Sequence, residues 1–352
     1  MKYILLIITY IYISISMYGQ KQDKTTPLIG AYYFDGWAGQ NSNKTDSWAK
    51  NAPTHLTQRM VNEFSNRQPL WGWRDDSLSL MEKQIDLAAT NGIDFFIFCW
   101  YWSNGKGPIN IKGIENQPLH TSLNLFMKAR NKHKMKFALL VANHSGAEIV
   151  GEKNGIDAVN YWSKNYLNDP QYMKFDNKPL VVFFDNGINS LIPSMNSIAI
   201  NNGFNGLITV SNGYMPKFKS FDYVSWYNMR ADEPGYAQER KYTQLISFIE
   251  MIWKQVPASV PMIPTVMTGW DSRPWETKKQ GIYYTGATPQ LFEEQLIKAI
   301  KEANRHPSLH PKMVFIYAWN ELGEGGYLVP TKGDPKTSFL KKINSAKKKS
   351  KK

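Results

Sequence analysis

The chain has 352 residues, a formal charge of +13 and a single cysteine, Cys99, so no internal disulfide can form and a buried core must supply the stability. The segment FFIFCWYW makes Cys99 a small core hydrophobe rather than a nucleophile. Much of the positive charge lies in KKINSAKKKSKK, with seven lysines from Lys341 onward. The body is therefore only mildly basic, no nucleic-acid fold signature is present, and nucleic acid is not expected as a partner.

The N-terminus, MKYILLIITYIYISISMYGQ, has a short positive start at Lys2, an apolar run from Tyr3 to about Ile15, and small residues up to Gly19. The run is short for a membrane span, so residues 1–19 read as a signal peptide. Export to the periplasm or beyond follows, with no stable membrane anchor after cleavage and a monomeric mature protein. The first strand is expected at Leu28–Phe34, followed by a long Trp-, Asn- and Pro-rich loop reaching Trp73. Asp76 or Ser77 caps a helix with apolar positions Leu78, Met81, Ile85 and Ala88, ended by Gly92. Further strands are expected at Ile93–Trp100, Phe137–Asn143, Leu180–Asp185, Leu207–Ser211, Tyr223–Tyr227, Pro261–Met267 and Met313–Trp319. Helices are expected around Ser122–His133, Asp157–Leu167, Pro193–Asn202 and Gln238–Gln255, and from a cap at Thr288 with Pro289 in the first turn. The link between strands five and six looks short and helix-poor.

These strands are nearly continuous apolar runs, the mark of a parallel sheet buried on both faces. Eight of them, with no Gly-rich dinucleotide fingerprint after the first, predict an α/β fold: a single (β/α)₈ TIM barrel over residues 27–340, with residues 341–352 as a basic disordered tail.

Chemistry in such a barrel sits at the C-terminal strand ends. Strand one delivers Tyr32, Tyr33, Asp35 and Trp37, and strand two runs into Trp100, Tyr101, Trp102 and Asn104; of these, Tyr33, Asp35, Trp37, Trp100 and Trp102 are the expected sugar contacts. Strand three ends at Asn143 and His144, strand four at Asp185 and Asn186, and strand six at Tyr227 and Asn228. Strand seven ends at Trp270, Asp271 and Arg273, and strand eight at Trp319 and Asn320. Aromatic residues make up 14% of the chain, with 12 Trp, and a rim of indoles and polar groups suits the stacked faces and hydroxyls of sugars. Each has a plainer reading: His144 as a structural hydrogen-bonding group, Asp271 and Arg273 as an ion pair, Asp185 as a helix cap.

The sharpest motif is YAWNELGEGGYLVP, which sets Glu321 and Glu324 three residues apart beyond an apolar strand, among Gly323, Gly325 and Gly326. Glycosyl chemistry needs one group to protonate the leaving oxygen and another as base or nucleophile. Two carboxylates from one short loop cannot easily straddle a sugar, but they can address the leaving oxygen and a neighbouring hydroxyl from one side. The alternative is a pair of solvent-facing loop acids. No HxH, HExxH or GxSxG pattern supports a metal or serine-based site, and no cofactor is expected.

Through LIGAYYFDGW, FFIFCWYWSNGKG, NYLNDPQYMKFDNKPLVVFF, VMTGWDSRP and AWNELGEGGYLVP, most of the mature chain resembles glycoside hydrolase family 99, the endo-α-mannosidase type, its relatives in family 71, and the WbsX-type domains described as glycosyltransferases. The resemblance implies that Glu321 is a base on the sugar 2-hydroxyl and Glu324 the acid for the leaving group, with retention through a 1,2-anhydro sugar. It also places Tyr227 at the family's active-site tyrosine. The sequence departs from the pattern at Leu322 and Gly323, where the family has Trp and a bulkier residue, and at His144 and Val329, where WbsX-type domains have acids. The expectation is a secreted retaining glycosidase, endo-acting on an α-linked, mannan-like oligo- or polysaccharide. A glycosyltransferase or a non-catalytic carbohydrate-binding barrel are the alternatives.

Overall fold

The computed structural model describes residues 26–217, 219–231, 238–275, 281–305 and 311–351. The export segment expected at 1–19 lies outside them. Eight parallel strands run β1 Leu28–Tyr33, β2 Phe95–Trp100, β3 Lys136–Val141, β4 Lys178–Phe183, β5 Ile208–Asn212, β6 Tyr223–Ser225, β7 Thr265–Met267 and β8 Met313–Tyr317. They pair in the order β6-β5-β4-β3-β2-β1-β8-β7, so the first strand lies beside the last, with Leu28 opposite Met313. The remaining seam, between β6 and β7, is closed mostly by single contacts. Val224 bridges to Met262, and the Ser225 hydroxyl bonds Ile263 O at 2.9 Å and faces the Thr265 hydroxyl at 3.1 Å. The expected (β/α)₈ barrel is what the chain forms.

Helices α1 Leu78–Thr90, α2 Thr121–Lys128, α3 Glu152–Trp162, α4 Ile192–Asn201, α5 Tyr242–Gln255 and α6 Pro289–Arg305 flank the strands. Ser77 caps α1, its side chain accepting from Leu80 N, and Gly92 leaves it with φ +93°. The Thr288 hydroxyl accepts from Leu291 N at 3.2 Å to start α6. Among the described residues between β5 and β6 no helix forms, as expected. The expected helix at Gln238 starts later. Gln238–Lys241 instead pairs in parallel with Ile282–Thr285 as a separate two-stranded sheet, and α5 follows it.

Strand alternation divides the side chains into two layers. Phe95 and Phe315 fill the lower lumen, and the Phe95 ring lies where a side chain on Gly30 would stand, 2.4 Å from its Cβ position. Tyr32, Cys99, Tyr227 and Tyr317 gather higher up: the Tyr32 and Tyr227 rings lie 4.9 Å apart, those of Tyr227 and Tyr317 5.1 Å, and Cys99 Sγ is 4.0 Å from the Tyr227 hydroxyl. Tyr33, Phe96, Phe98 and Trp319 point the other way, toward α1 and α2.

The tail corrects the expectation of disorder. Ser338–Lys349 is a helix, α7, that buries Leu340, Ile343 and Ala346. The density of lysine concealed a helical apolar spacing, and three of the lysines have acidic partners. Lys342 and Lys349 reach the fully buried Glu293 of α6 at 2.9 and 2.7 Å, and Lys347 reaches Asp94 at 2.7 Å. Burial alone would raise the Glu293 carboxyl; the bonds from Lys349, Ser345 and Lys342 outweigh it and hold the group down at about 2. A depressed carboxyl stabilises the fold fully above its ordinary value and loses that contribution as pH falls through the folded one. Melting temperature is therefore expected to fall from about pH 4.5 toward pH 2. E293Q is expected to flatten that limb in a thermal-melt series, and an unchanged acid limb would refute the linkage.

Candidate active site

The two glutamates lie on a hairpin built directly on β8. Asn320–Glu321 pairs antiparallel with Gly326–Tyr327, and the chain turns between them. Trp319 N bonds Tyr32 O at 2.7 Å, and Asn320 exchanges bonds of 2.8 and 2.7 Å with the Phe34 backbone, so the hairpin is tied to the end of β1. The three glycines serve different ends. Only Gly325 needs the left-handed region, at φ +76°. A Cβ on Gly326 would lie 2.4 Å from the Tyr317 ring, and one on Gly323 would lie 2.1 Å from the Trp275 indole. Gly323→Ala is thus expected to push Trp275 off the hairpin, costing about 1–3 kcal/mol. Equal stability of the two proteins in urea would contradict that packing.

Glu321 is buried, 3% exposed, and accepts a short hydrogen bond from the Tyr227 hydroxyl on Oε1. Its other oxygen has no partner among the described residues. Glu324, partly buried, accepts a short bond from the Tyr317 hydroxyl. Burial, and then the neighbouring Glu324 charge, hold the Glu321 carboxyl well above the usual glutamate range; the Tyr227 bond offsets this only in part. Burial likewise raises Glu324, against lowering effects of Tyr317, Arg230 and Asn228. Two acids in one site with separate phenol partners can hold one proton between them and take unlike roles.

Not every rim candidate reaches this mouth. Asn320 anchors the hairpin from below. Trp270 is a wall, its ring 6.0 Å from Tyr317, with the Arg230 guanidinium 4.5 Å above it. His144 is exposed between Tyr101 and Phe184, rings 5.9 and 5.8 Å away, and Phe184 in turn lies 5.5 Å from Tyr227. Asp35 is buried, accepts Ser122 N at 2.6 Å at the start of α2, and is pushed by burial up to about 7.

Eight expectations need correction. Tyr33 is buried against α1, its hydroxyl 3.1 Å from both Asp75 and Gln84, and Trp319 is buried beside it, donating to Gln84 at 2.7 Å. Trp100 is buried in the helix layer against His120 and Trp162, and Trp102 is buried with its indole N–H on Gly107 O at 3.1 Å. Trp37, 1% exposed, supports the hairpin instead of facing a sugar, donating to Asn320 O at 2.8 Å. The Asp185 side chain accepts Gly187 N at 2.6 Å and caps the following turn. Asp271 is held by Arg67, and by Arg273 at 2.7 and 2.8 Å, so both Asp271 and Arg273 belong to an ion-pair cluster.

Some contributors escaped the sequence reading. Tyr317 sits inside β8 and looks like core. Arg230 follows no motif. Arg67, 6% exposed, bonds Asp271 O at 3.0 Å and Leu322 O at 3.1 Å and so clamps the turn that carries Glu324.

Fold and hairpin together define a (β/α)₈ barrel with two glutamates at the mouth of its last strand. Residues 73–343 match the family described as Glycosyltransferase WbsX, and the chain belongs to that family. The uncharacterized protein WxcX of Xanthomonas campestris pv. campestris is 25% identical over 286 residues, 71% of this chain; the chain spans 39% of that relative's length. Among solved structures, the family 99 endo-α-mannosidase of Bacteroides thetaiotaomicron in complex with bis-tris-propane matches with a TM-score of 0.62 and 14% identity, over 92% of this chain and 98% of that one. A glycoside hydrolase-like protein matches at a TM-score of 0.57 and 16% identity, over 91% and 94% of the two chains. At these identities the likeness speaks for the fold.

Proposed function

We propose that this protein is an exported retaining glycoside hydrolase, endo-acting on an α-linked, mannan-like glycan. The observation that carries the reading is the pair Glu321 and Glu324 on one hairpin, each carboxyl with its own tyrosine. Glu321 takes the proton of the 2-hydroxyl, and O2 attacks C1 while Glu324 protonates the departing oxygen. A 1,2-anhydro sugar results. Glu324, now ionised, deprotonates water, which opens the ring at C1, and Glu321 returns its proton to O2. Two inversions leave the anomeric configuration retained. Tyr227 and Tyr317 orient the two acids throughout. The mature protein is read as a monomer without a membrane anchor, and the mannan-like target rests on the resemblance to endo-α-mannosidases.

The family description favours a second reading, transfer from a nucleotide sugar. One experiment separates the two. The mature protein is incubated with α-mannans and α-glucans and, separately, with nucleotide sugars plus acceptor. New reducing ends, first seen by proton NMR in the substrate's own anomeric form, are expected. Release of nucleotide without any glycan cleavage would replace hydrolysis by transfer.

A further inference from the structure

The long segment between β1 and α1 carries more tryptophan than its packing uses. Trp48, Trp71 and Trp73 are each partly exposed and line a groove of about 290 Å³ together with Leu56, Lys50 and Arg74. The groove is fixed in place. Pro69 bridges to Thr331 and Leu70 N bonds Pro330 O at 3.0 Å, which ties its edge to the chain leaving the catalytic hairpin. The Trp73 ring lies 6.1 Å from Trp37, whose indole donates to Asn320 O, so one buried tryptophan separates the groove from the hairpin.

Its polar groups are available. The indole N–H groups of Trp71 and Trp73 and the Lys50 ammonium have no hydrogen-bond partner among the described residues, whereas Trp48 Nε1 is engaged by Asp46 at 3.2 Å and Arg74 by Asp76 at 3.1 Å. Gly72, φ +92° with nothing within 4 Å of its Cβ position, leaves the space between the two indoles open. Clustered exposed indoles on a rigid loop leave apolar area in water unless a ligand covers it. Aromatic faces beside unpaired N–H donors match a pyranose, with its apolar C–H face and ring of hydroxyl acceptors.

We infer that this groove is a second carbohydrate-binding site, taking pyranose units of the glycan outside the catalytic mouth. The inference rests on the reading of the protein as glycan-active. The test is native gel electrophoresis in gels containing yeast α-mannan, dextran or starch, using the wild type, E324Q, W71A/W73A and W71F/W73F. The wild type and E324Q are expected to be retarded equally by at least one glycan, W71A/W73A to lose most of that retardation, and W71F/W73F to fall between. The phenylalanine pair keeps the groove filled, so its intermediate mobility marks lost stacking area rather than lost folding. Retardation unchanged in both double variants, or absent for the wild type in every gel, overturns the site. Retardation that depends on Trp71 and Trp73 without any hydrolysis would leave the groove standing and remove the hydrolase reading.

Discussion

Glu324→Gln is expected to lower kcat on glycan by a factor on the order of 10²–10⁴ while binding persists. Glutamine keeps the shape and can still accept the Tyr317 hydroxyl bond, so the loss isolates the proton. A substrate with a leaving group that departs unprotonated should recover most of the first step in this variant, leaving only the water-activating step impaired. The pH profile carries the sign. Burial raises the Glu324 carboxyl, so the proton needed by the leaving oxygen is kept beyond the ordinary glutamate range, and activity falls only as pH rises past that raised value. The alkaline limb of kcat/KM should disappear in E324Q measured with the activated substrate. Undiminished turnover of natural glycan by E324Q would end the assignment.

Arg67→Ala has the largest expected effect on stability. The guanidinium pairs with a buried carboxylate and satisfies the carbonyl of Asp271 and that of Leu322 in the turn. Its removal leaves those oxygens without a donor and halves the compensation of Asp271, which keeps only Arg273. A loss of about 3 kcal/mol follows, visible as a fall in Tm of roughly 4–5 °C. Lysine should not rescue it, because a single ammonium cannot span the fork. Since Leu322 O is one of the released groups, kcat should fall alongside Tm through misplacement of Glu324. A variant that melts like the wild type would show that Arg273 alone holds the cluster.

The eight strands and the glutamate hairpin were legible because each is written locally, the strands as apolar runs and the hairpin as glycines around two acids. The orientation of the rim aromatics was not. In a barrel buried on both faces, neighbouring residues are equally apolar, so nothing local says which of two enters the lumen. Of the adjacent pairs Tyr32 and Tyr33, and Trp100 and Tyr101, Tyr33 and Trp100 look like the sugar contacts from the sequence, one residue out of phase each time, and Trp319 stands in for Tyr317, two residues earlier. The bulkier side chains went to the wider space between sheet and helices, and tyrosines lined the mouth. Arg67 and Trp275 were hidden for another reason, since each acts on a loop far away in sequence. The helix of the lysine tail is hard to see in the sequence because its lysines outnumber the Leu340, Ile343, Ala346 spacing that packs it.

The pairing of β1 with β8 bears on how the chain reaches its folded state. Leu28 meets Met313, and Phe34 meets Asn320, 286 residues further on. A polypeptide threading out from its N-terminus therefore carries β1 with one edge unpaired until almost the whole length has emerged, and α7 latches onto Glu293 and Asp94 later still. Closure of this kind has a high contact order and is slow. Late closure delays compaction, which suits the export proposed above, and the cost is a long interval in which the bare β1 edge invites pairing with another copy.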